Sequence, residues 1–282
     1  METKMYLINA LSNMHVGSGD VNYGIIDNMI QRDLLTGLPN INSSGLKGAI
    51  REFFRDTSYE REIFGSRSDD SSSVTMPGKF RFFEANLLSF PARSDKVPFL
   101  MTTSYNIIQE IIEKLDIFQC EKSKELKLKL QSFIGNSKIK ELNHSNKREA
   151  LVFDPKLAGA CIEEVDLKAT YCDTEVDQVI FQLFGERLVL LPHKILSELC
   201  DDNHLPVIAR NCLEDGMSEN LWYEQILPRY TRMYFMLMPG NIDAPGDKTD
   251  FLEKLSDEIF QLGANASIGY GYCKFVDIST LI

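Results

Sequence analysis

The stretch from His15 to Arg55, HVGSGDVNYGIIDNMIQRDLLTGLPNINSSGLKGAIREFFR, limits the fold of this chain more than any other. A Gly-Ser-Gly turn, Gly17-Ser18-Gly19, follows a lone histidine, His15, and so turn-rich a segment must leave any sheet it began in. Ile25-Ile26-Asp27-Asn28-Met29-Ile30 then sets one carboxylate among apolar neighbours. A helix is expected from about Ser44, with Ser43 and Ser44 as N-cap candidates. Its apolar face is Leu46, Ala49, Ile50, Phe53 and Phe54. Lys47, Arg51 and Arg55 recur every four residues as a basic stripe, and Gly45 and Gly48 thin the backbone beside it. Free N–H groups, the helix dipole and basic side chains at one helix start together favour an anion. A solvated face, with Glu52 alongside, accounts for the same stripe.

Around this stretch the elements fall into a simple order. Lys4 to Ala10 reads as a first strand, Lys79 to Phe90 and Thr231 to Met238 as later ones, Lys248 to Leu262 as a second long helix, and the segment through Cys273 and Phe275 as a last strand. Strand, helix, strand, strand, helix, strand is the ferredoxin-like plan of an α+β fold, shared by RNA-recognition motifs. The expected organisation is one domain, residues 1–282, with a helical insertion at about 105–200 and a projecting β-hairpin thumb at about 205–228. Within the insertion, Glu121 to Arg148 is Lys-rich and reads either as a solvated, partly disordered segment or as a flexible arm. Ser66 to Ser73 reads as a polar loop, and Glu214-Asp215-Gly216 as the hairpin turn. Trp222, the only tryptophan, falls in that hairpin, as a packing anchor or as a wedge between bases.

Composition removes several functional classes. No apolar run approaches the ~18 residues of a membrane span, and the first residues lack a secretory plan, so a cytosolic protein with no membrane partner is expected. Six scattered cysteines include no C-x-x-C pair, which argues against a zinc site or a disulfide frame. No phosphate-binding P-loop, zinc-protease or serine-hydrolase motif occurs. The formal net charge of -11 fits a nucleic-acid binder poorly unless its basic residues share one surface, and it suits a subunit better than a free-standing binder.

His15, Gly17-Ser18-Gly19, Ile26-Asp27-Asn28, Ile30-Gln31-Arg32-Asp33, Thr36-Gly37-Leu38-Pro39 and Leu46-Lys47-Gly48-Ala49-Ile50-Arg51-Glu52 follow one another in an order that resembles the RAMP superfamily of CRISPR proteins. The resemblance is to the backbone subunit of the type III-B Cmr effector above all. Asn220-Leu221-Trp222-Tyr223-Glu224 with Leu227-Pro228 resembles the base of that family's thumb, and Gly263 to Gly271 its glycine-rich loop. Here Ala264 stands where a second glycine is usual and Tyr270 where a basic residue is common, so stacking by Tyr270 is expected to replace a charge contact.

The resemblance implies a chain that polymerises head to tail along a guide crRNA with other Cmr subunits, and an endoribonuclease that cuts single-stranded target RNA at regular intervals. It implies Asp27 as the catalytic residue and as the anchor for a divalent ion, Mg²⁺ or Mn²⁺. His15 and Glu224 become possible supporting groups. His15, Ser43, Ser44, Lys47, Arg51, Arg55, Gly263 and Tyr270 become RNA contacts, and Trp222 a target-strand contact on the thumb. Rivals are a non-catalytic structural subunit, the related type III-A backbone subunit, and a free-standing guide-processing endonuclease.

Overall fold

The first strand, β1 (Lys4–Ala10), is the axis of the fold, and Met5, Tyr6, Leu7 and Ile8 are all buried in it. In the computed structural model, which describes residues 3–19, 25–67, 75–120, 123–145, 148–163, 165–214 and 217–282, β1 lies between two antiparallel partners. One is Arg232–Met238, with Tyr6 opposite Phe235, and the other is the last strand, Tyr272–Asp277, with Tyr6 opposite Asp277. Ala85–Arg93 flanks Arg232–Met238, again antiparallel. The order last strand, β1, third strand, second strand is the ferredoxin-like arrangement expected from the sequence.

Neighbouring residues of a strand face opposite sides, so Tyr234 and Phe235 report on the two faces of the sheet. Phe235 meets Phe275, Phe275 stacks on Phe260 at 4.6 Å, and Phe54 reaches both Phe260 and Phe251. That chain of rings fastens the helix α1 (Ser43–Phe53) and the helix Pro245–Asp257 to one face. On the other face the Tyr234 hydroxyl donates to Glu110 at 3.1 Å, and Lys114 lies over its ring. Both partners belong to the helix Tyr105–Phe118, which Ser104 caps by accepting from the Ile107 amide.

The insertion departs from expectation in two ways. It carries strands as well as helices: Leu188–Leu191 pairs parallel with Phe99–Ser104, and Glu149–Val152 and Val165–Tyr171 continue the same sheet outward. The described part of its Lys-rich stretch is neither a disordered segment nor a flexible arm. It folds into the helices Ser123–Ile134 and Ser137–His144, which bury Leu126, Leu130, Phe133, Ile134, Ile139 and Leu142. Lys127 and Lys129 pair with Asp116 and Asp177, so two of the lysines are anchors for the packed helices. Part of the serine-rich loop (residues 68–74) and the hairpin turn at 215–216 lie outside the described residues.

Val207–Glu214 and Met217–Gln225 pair antiparallel with each other, in a sheet separate from the main one. Arg210 sits opposite Trp222 in that register. This hairpin is the expected thumb. None of the six cysteines forms a disulfide. No helix among the described residues is long and apolar enough to cross a membrane.

Candidate functional site

Beyond Ala10 the chain leaves the sheet and runs under the base of the thumb. Met14 and Leu227 exchange backbone hydrogen bonds of 2.8 Å in both directions, which seats His15 beneath the hairpin. His15 is 5% exposed, and its Nδ1 lies 2.7 Å from the Gln225 carbonyl. A carbonyl only accepts, so Nδ1 carries the proton and Nε2 is the remaining nitrogen. A Cβ at Gly17 would come within 3.1 Å of that Nε2, which is the close approach a glycine permits.

The Asp27 segment is stitched to the other side of the thumb. Asp27 N and Asn28 N both donate to the Tyr223 carbonyl at 3.1 Å, and Gln225 N donates to the Asn28 carbonyl at 2.9 Å. The Asp27 carboxylate accepts from the Tyr223 amide through Oδ2 at 2.8 Å. The residue is exposed, and Oδ1 has no partner among the described residues. The Gln225 side chain accepts from Ile30 N, which closes the same junction from below. One carboxylate oxygen is thus held at the thumb base and the other is presented to solvent.

Glu224 has a different setting. It is 5% exposed and its carboxylate receives four donors. Trp222 Nε1 (2.8 Å) and Asn28 Nδ2 (3.3 Å) reach Oε1, while Arg210 Nη1 (3.0 Å) and Asn265 Nδ2 (2.9 Å) reach Oε2. Burial alone would raise its pKa, but the hydrogen bonds from Trp222 and Arg210 outweigh it and hold the group below the ordinary glutamate value. Trp222 is half-buried, bonded to Glu224 and covered by the Arg210 guanidinium 5.6 Å from its ring. It is therefore a clamped residue on the thumb face and not a core anchor.

The glycine-rich loop closes the site from a third side. Ala264 N donates to the His15 carbonyl, and Gly271 N to the Asn13 carbonyl. Gly263, at φ +84°, packs so closely that a Cβ there would lie 2.3 Å from the His15 oxygen. The half-buried Tyr270 is fixed through its backbone, its amide donating to Asn265 and its carbonyl accepting from Gln261.

The helix start needs correction in two details. The N-cap is Asn42, not Ser43 or Ser44, and no side chain caps the first turn. Ser43, Ser44, Gly45 and Gly48 are exposed, so the first-turn amides face solvent. Gln31 ties this end to the Asp27 segment by accepting from Asn42 N and donating to the Gly17 carbonyl. Arg51 is not available as an RNA contact. Its guanidinium pairs with the buried Glu60 and donates to the Gly65 carbonyl at 2.7 Å, pinning α1 to the following turn. Arg55 is exposed beside Glu52, and Lys47 has no ion-pair partner among the described residues. The stripe presents two cations.

His15, Asp27, Glu224 and Gly263 therefore converge, while Lys47 and Arg55 lie on a separate element joined to them through Gln31. Gln225, Arg210 and Asn265 were missed by sequence reasoning. Arg210 and Asn265 gain their meaning only from hairpin register and loop placement, which no local pattern encodes. Gln225 directly follows the quoted thumb segment, and that adjacency was the one available signal.

Comparison with known proteins bears on the fold and the family. The CRISPR system Cmr endoribonuclease Cmr4 of Pyrococcus furiosus is 25% identical over 289 positions, covering 96% of this chain and 95% of the relative. A chain of the type III-B Cmr-beta complex bound to cognate target RNA superposes with a TM-score of 0.80 at 20% identity, covering 100% of this chain and 99% of that one. Oligomeric Cmr4 from Pyrococcus furiosus superposes with a TM-score of 0.67 at 20% identity, over 99% of each chain. Residues 7–274 match the RAMP superfamily. With the match spanning both ends of the ferredoxin-like core, the thumb and the glycine-rich loop, the chain belongs to the RAMP superfamily.

Proposed function

We propose that this chain is the repeated backbone subunit of a type III-B CRISPR effector, binding a guide crRNA and cutting complementary target RNA. The observation that carries the proposal is the exposed Asp27 carboxylate, hydrogen-bonded into the base of a free-standing thumb. A hairpin that stands off the body can displace a base from a guide–target duplex. A carboxylate fixed at its root then lies where the distorted target backbone passes. The relatives support each half: one is named an endoribonuclease, and another was solved bound to target RNA. The oligomeric relative supports further copies of the chain as partners, and the Cmr complex supports further subunits. The whole chain is read as one RAMP domain with the two insertions, its buried side chains forming a contiguous core. A cytosolic setting goes with this assignment.

In the proposed reaction the displaced base opens the target strand, so that its 2'-oxygen lines up with phosphorus and the leaving 5'-oxygen. The 2'-oxygen–phosphorus bond forms and the phosphorus–5'-oxygen bond breaks. The 2'-hydroxyl proton passes to Asp27 Oδ1 or to a water held there, and the leaving oxygen takes a proton from water. The products are a 2',3'-cyclic phosphate and a 5'-hydroxyl. His15 Nδ1 is engaged and Glu224 is saturated, so neither offers a free acid or base through those atoms.

The described residues contain no cluster of three metal-ligating side chains. Mg²⁺ or Mn²⁺ would be held by Asp27 Oδ1 together with RNA phosphate and water, and would supply positive charge at the reacting phosphate.

Guide recognition falls to the open first turn of α1, Lys47, Arg55, Gly263 and Tyr270. Lys47→Ala is expected to weaken guide binding across all sequences and to reduce the salt slope by about 1, read from binding isotherms at several ionic strengths. Arg51→Ala should leave that slope alone and cost about 1–3 kcal/mol of stability in chemical denaturation, because the buried Glu60 loses its main partner. The function itself is tested by recovering the complex with its RNA and mapping target cuts. Evenly spaced cuts ending in cyclic phosphate support the assignment; a complex that binds target and leaves it whole favours the purely structural subunit.

A further inference from the structure

Glu224 is a buried carboxylate where both thumb strands, the Asp27 segment and the glycine-rich loop meet. Its four donors come from four places: Trp222 on one thumb strand, Arg210 on the other, Asn28 beside the Asp27 carboxylate, and Asn265 in the glycine-rich loop. A carboxylate has about four acceptor positions, and here all are filled. No lone pair remains to take a proton from RNA or to bind a metal.

We propose that Glu224 is a positioning residue, locking the thumb at a fixed angle to the Asp27 segment, with Asn265 as the clasp that extends the lock to the glycine-rich loop. The proposal rests on the cleavage reading above and assigns a non-chemical role to a residue that sequence alone suggested as a catalytic helper. Its physical content is a coupling. The loop that packs on His15 and the segment that carries Asp27 share the Glu224 carboxylate as a contact with the hairpin, the segment adding its bonds to Tyr223 and Gln225. Asn265 supports this directly. It is held at φ +68°, a conformation that L side chains seldom adopt, and its side chain reaches Glu224 from there. The thumb strands have no pairing with the main sheet, so the root is held by these contacts together with the Met14–Leu227 bonds, the Gln225 contacts with His15 and Ile30, and the bonds of Asp27 and Asn28 to Tyr223.

The lock predicts a rescue that catalysis by Glu224 does not. Glu224→Gln keeps size and shape but turns an NH₂ group toward one pair of donors, so Arg210 and Asn265, or Trp222 and Asn28, face a donor. Adding Asn265→Asp supplies a new acceptor opposite that NH₂ and a new partner for Arg210. In the assembled complex Glu224→Gln should slow cutting at saturating target by about a hundredfold, the scale of a 1 Å misplacement, and the double variant should recover most of it.

A fluorescent base analogue at the displaced target position reads the thumb angle without chemistry, and is measured in an Asp27→Asn background. Its signal should fall with Glu224→Gln and return with the added Asn265→Asp. Slow cutting with an unchanged fluorescence signal would overturn the proposal by placing Glu224 in the chemistry. Unchanged cutting by Glu224→Gln, or a double variant no better than the single, would overturn it as well. If instead the fluorescence behaves as described while Asp27→Asn still cuts normally, the lock stands and the cleavage assignment fails.

Discussion

Replacing Asp27 by Asn should abolish target cutting in the assembled complex while leaving guide binding, copy number and target binding unchanged. The side chain keeps its shape, and its oxygen can still accept from the Tyr223 amide as Oδ2 does now. The thumb root is also held by Asp27 N, Asn28 N and Gln225 N, none of which involves the carboxylate. What changes is the exposed position: Oδ1 gives way to an NH₂ group that can neither accept a proton nor bind a cation. Loss of a group acting only in the reaction is expected to lower the single-turnover rate by at least about a hundredfold. Denaturing gels of end-labelled target, with a filter-binding control for target affinity, make the measurement. Cutting that persists at the wild-type rate sinks the catalytic assignment and leaves the chain as a structural subunit. Loss of cutting together with loss of target binding would show instead that Asp27 acts by holding the thumb.

The sequence stated the core of this fold in local terms. β1 is a compact apolar run, and α1 shows its face at Leu46 and Ile50, both wholly buried. The insertion was harder because its signals compete. In Ser123–Ile134 lysines alternate with apolar residues, and reading charge density hid Leu126, Leu130 and Phe133 at helical spacing. Glu149–Val152 becomes a strand by pairing with Leu188–Leu191, nearly forty positions on, which local propensity does not report. Arg51 illustrates the same limit at the site. Its place in a stripe of cations is visible in sequence, whereas its partner Glu60 reaches it across a helix end and a turn. The Asp27 role came from resemblance, and the geometry that gives it physical sense is a set of backbone bonds to Tyr223 and Gln225 that no side-chain pattern announces.

Two glycines of the C-terminal loop separate backbone strain from packing, and their alanine variants should differ sharply. Gly263 and Gly269 share the same φ of +84°, so Ala at either position meets the same conformational penalty, about 1–3 kcal/mol. Their surroundings are opposite. A Cβ on Gly269 would meet nothing within 4 Å, while one on Gly263 would stand 2.3 Å from the His15 carbonyl and 3.1 Å from Val16 Cγ2. Backbone oxygen cannot swing aside, so Gly263→Ala must push the loop off the His15 segment and break the bond from Ala264 N to that carbonyl. The displaced loop takes Asn265 with it and withdraws one donor from Glu224. Gly269→Ala should therefore lower the melting temperature by a few degrees, about what its strain implies, and leave cutting near wild type. Gly263→Ala should lower it further and reduce both guide retention and cutting by an order of magnitude or more, about the effect expected when a packed contact moves by an ångström. Equal behaviour of the two variants would mean that the loop acts only through the conformations its glycines allow. The predicted difference would show that its close packing on His15 holds the site together.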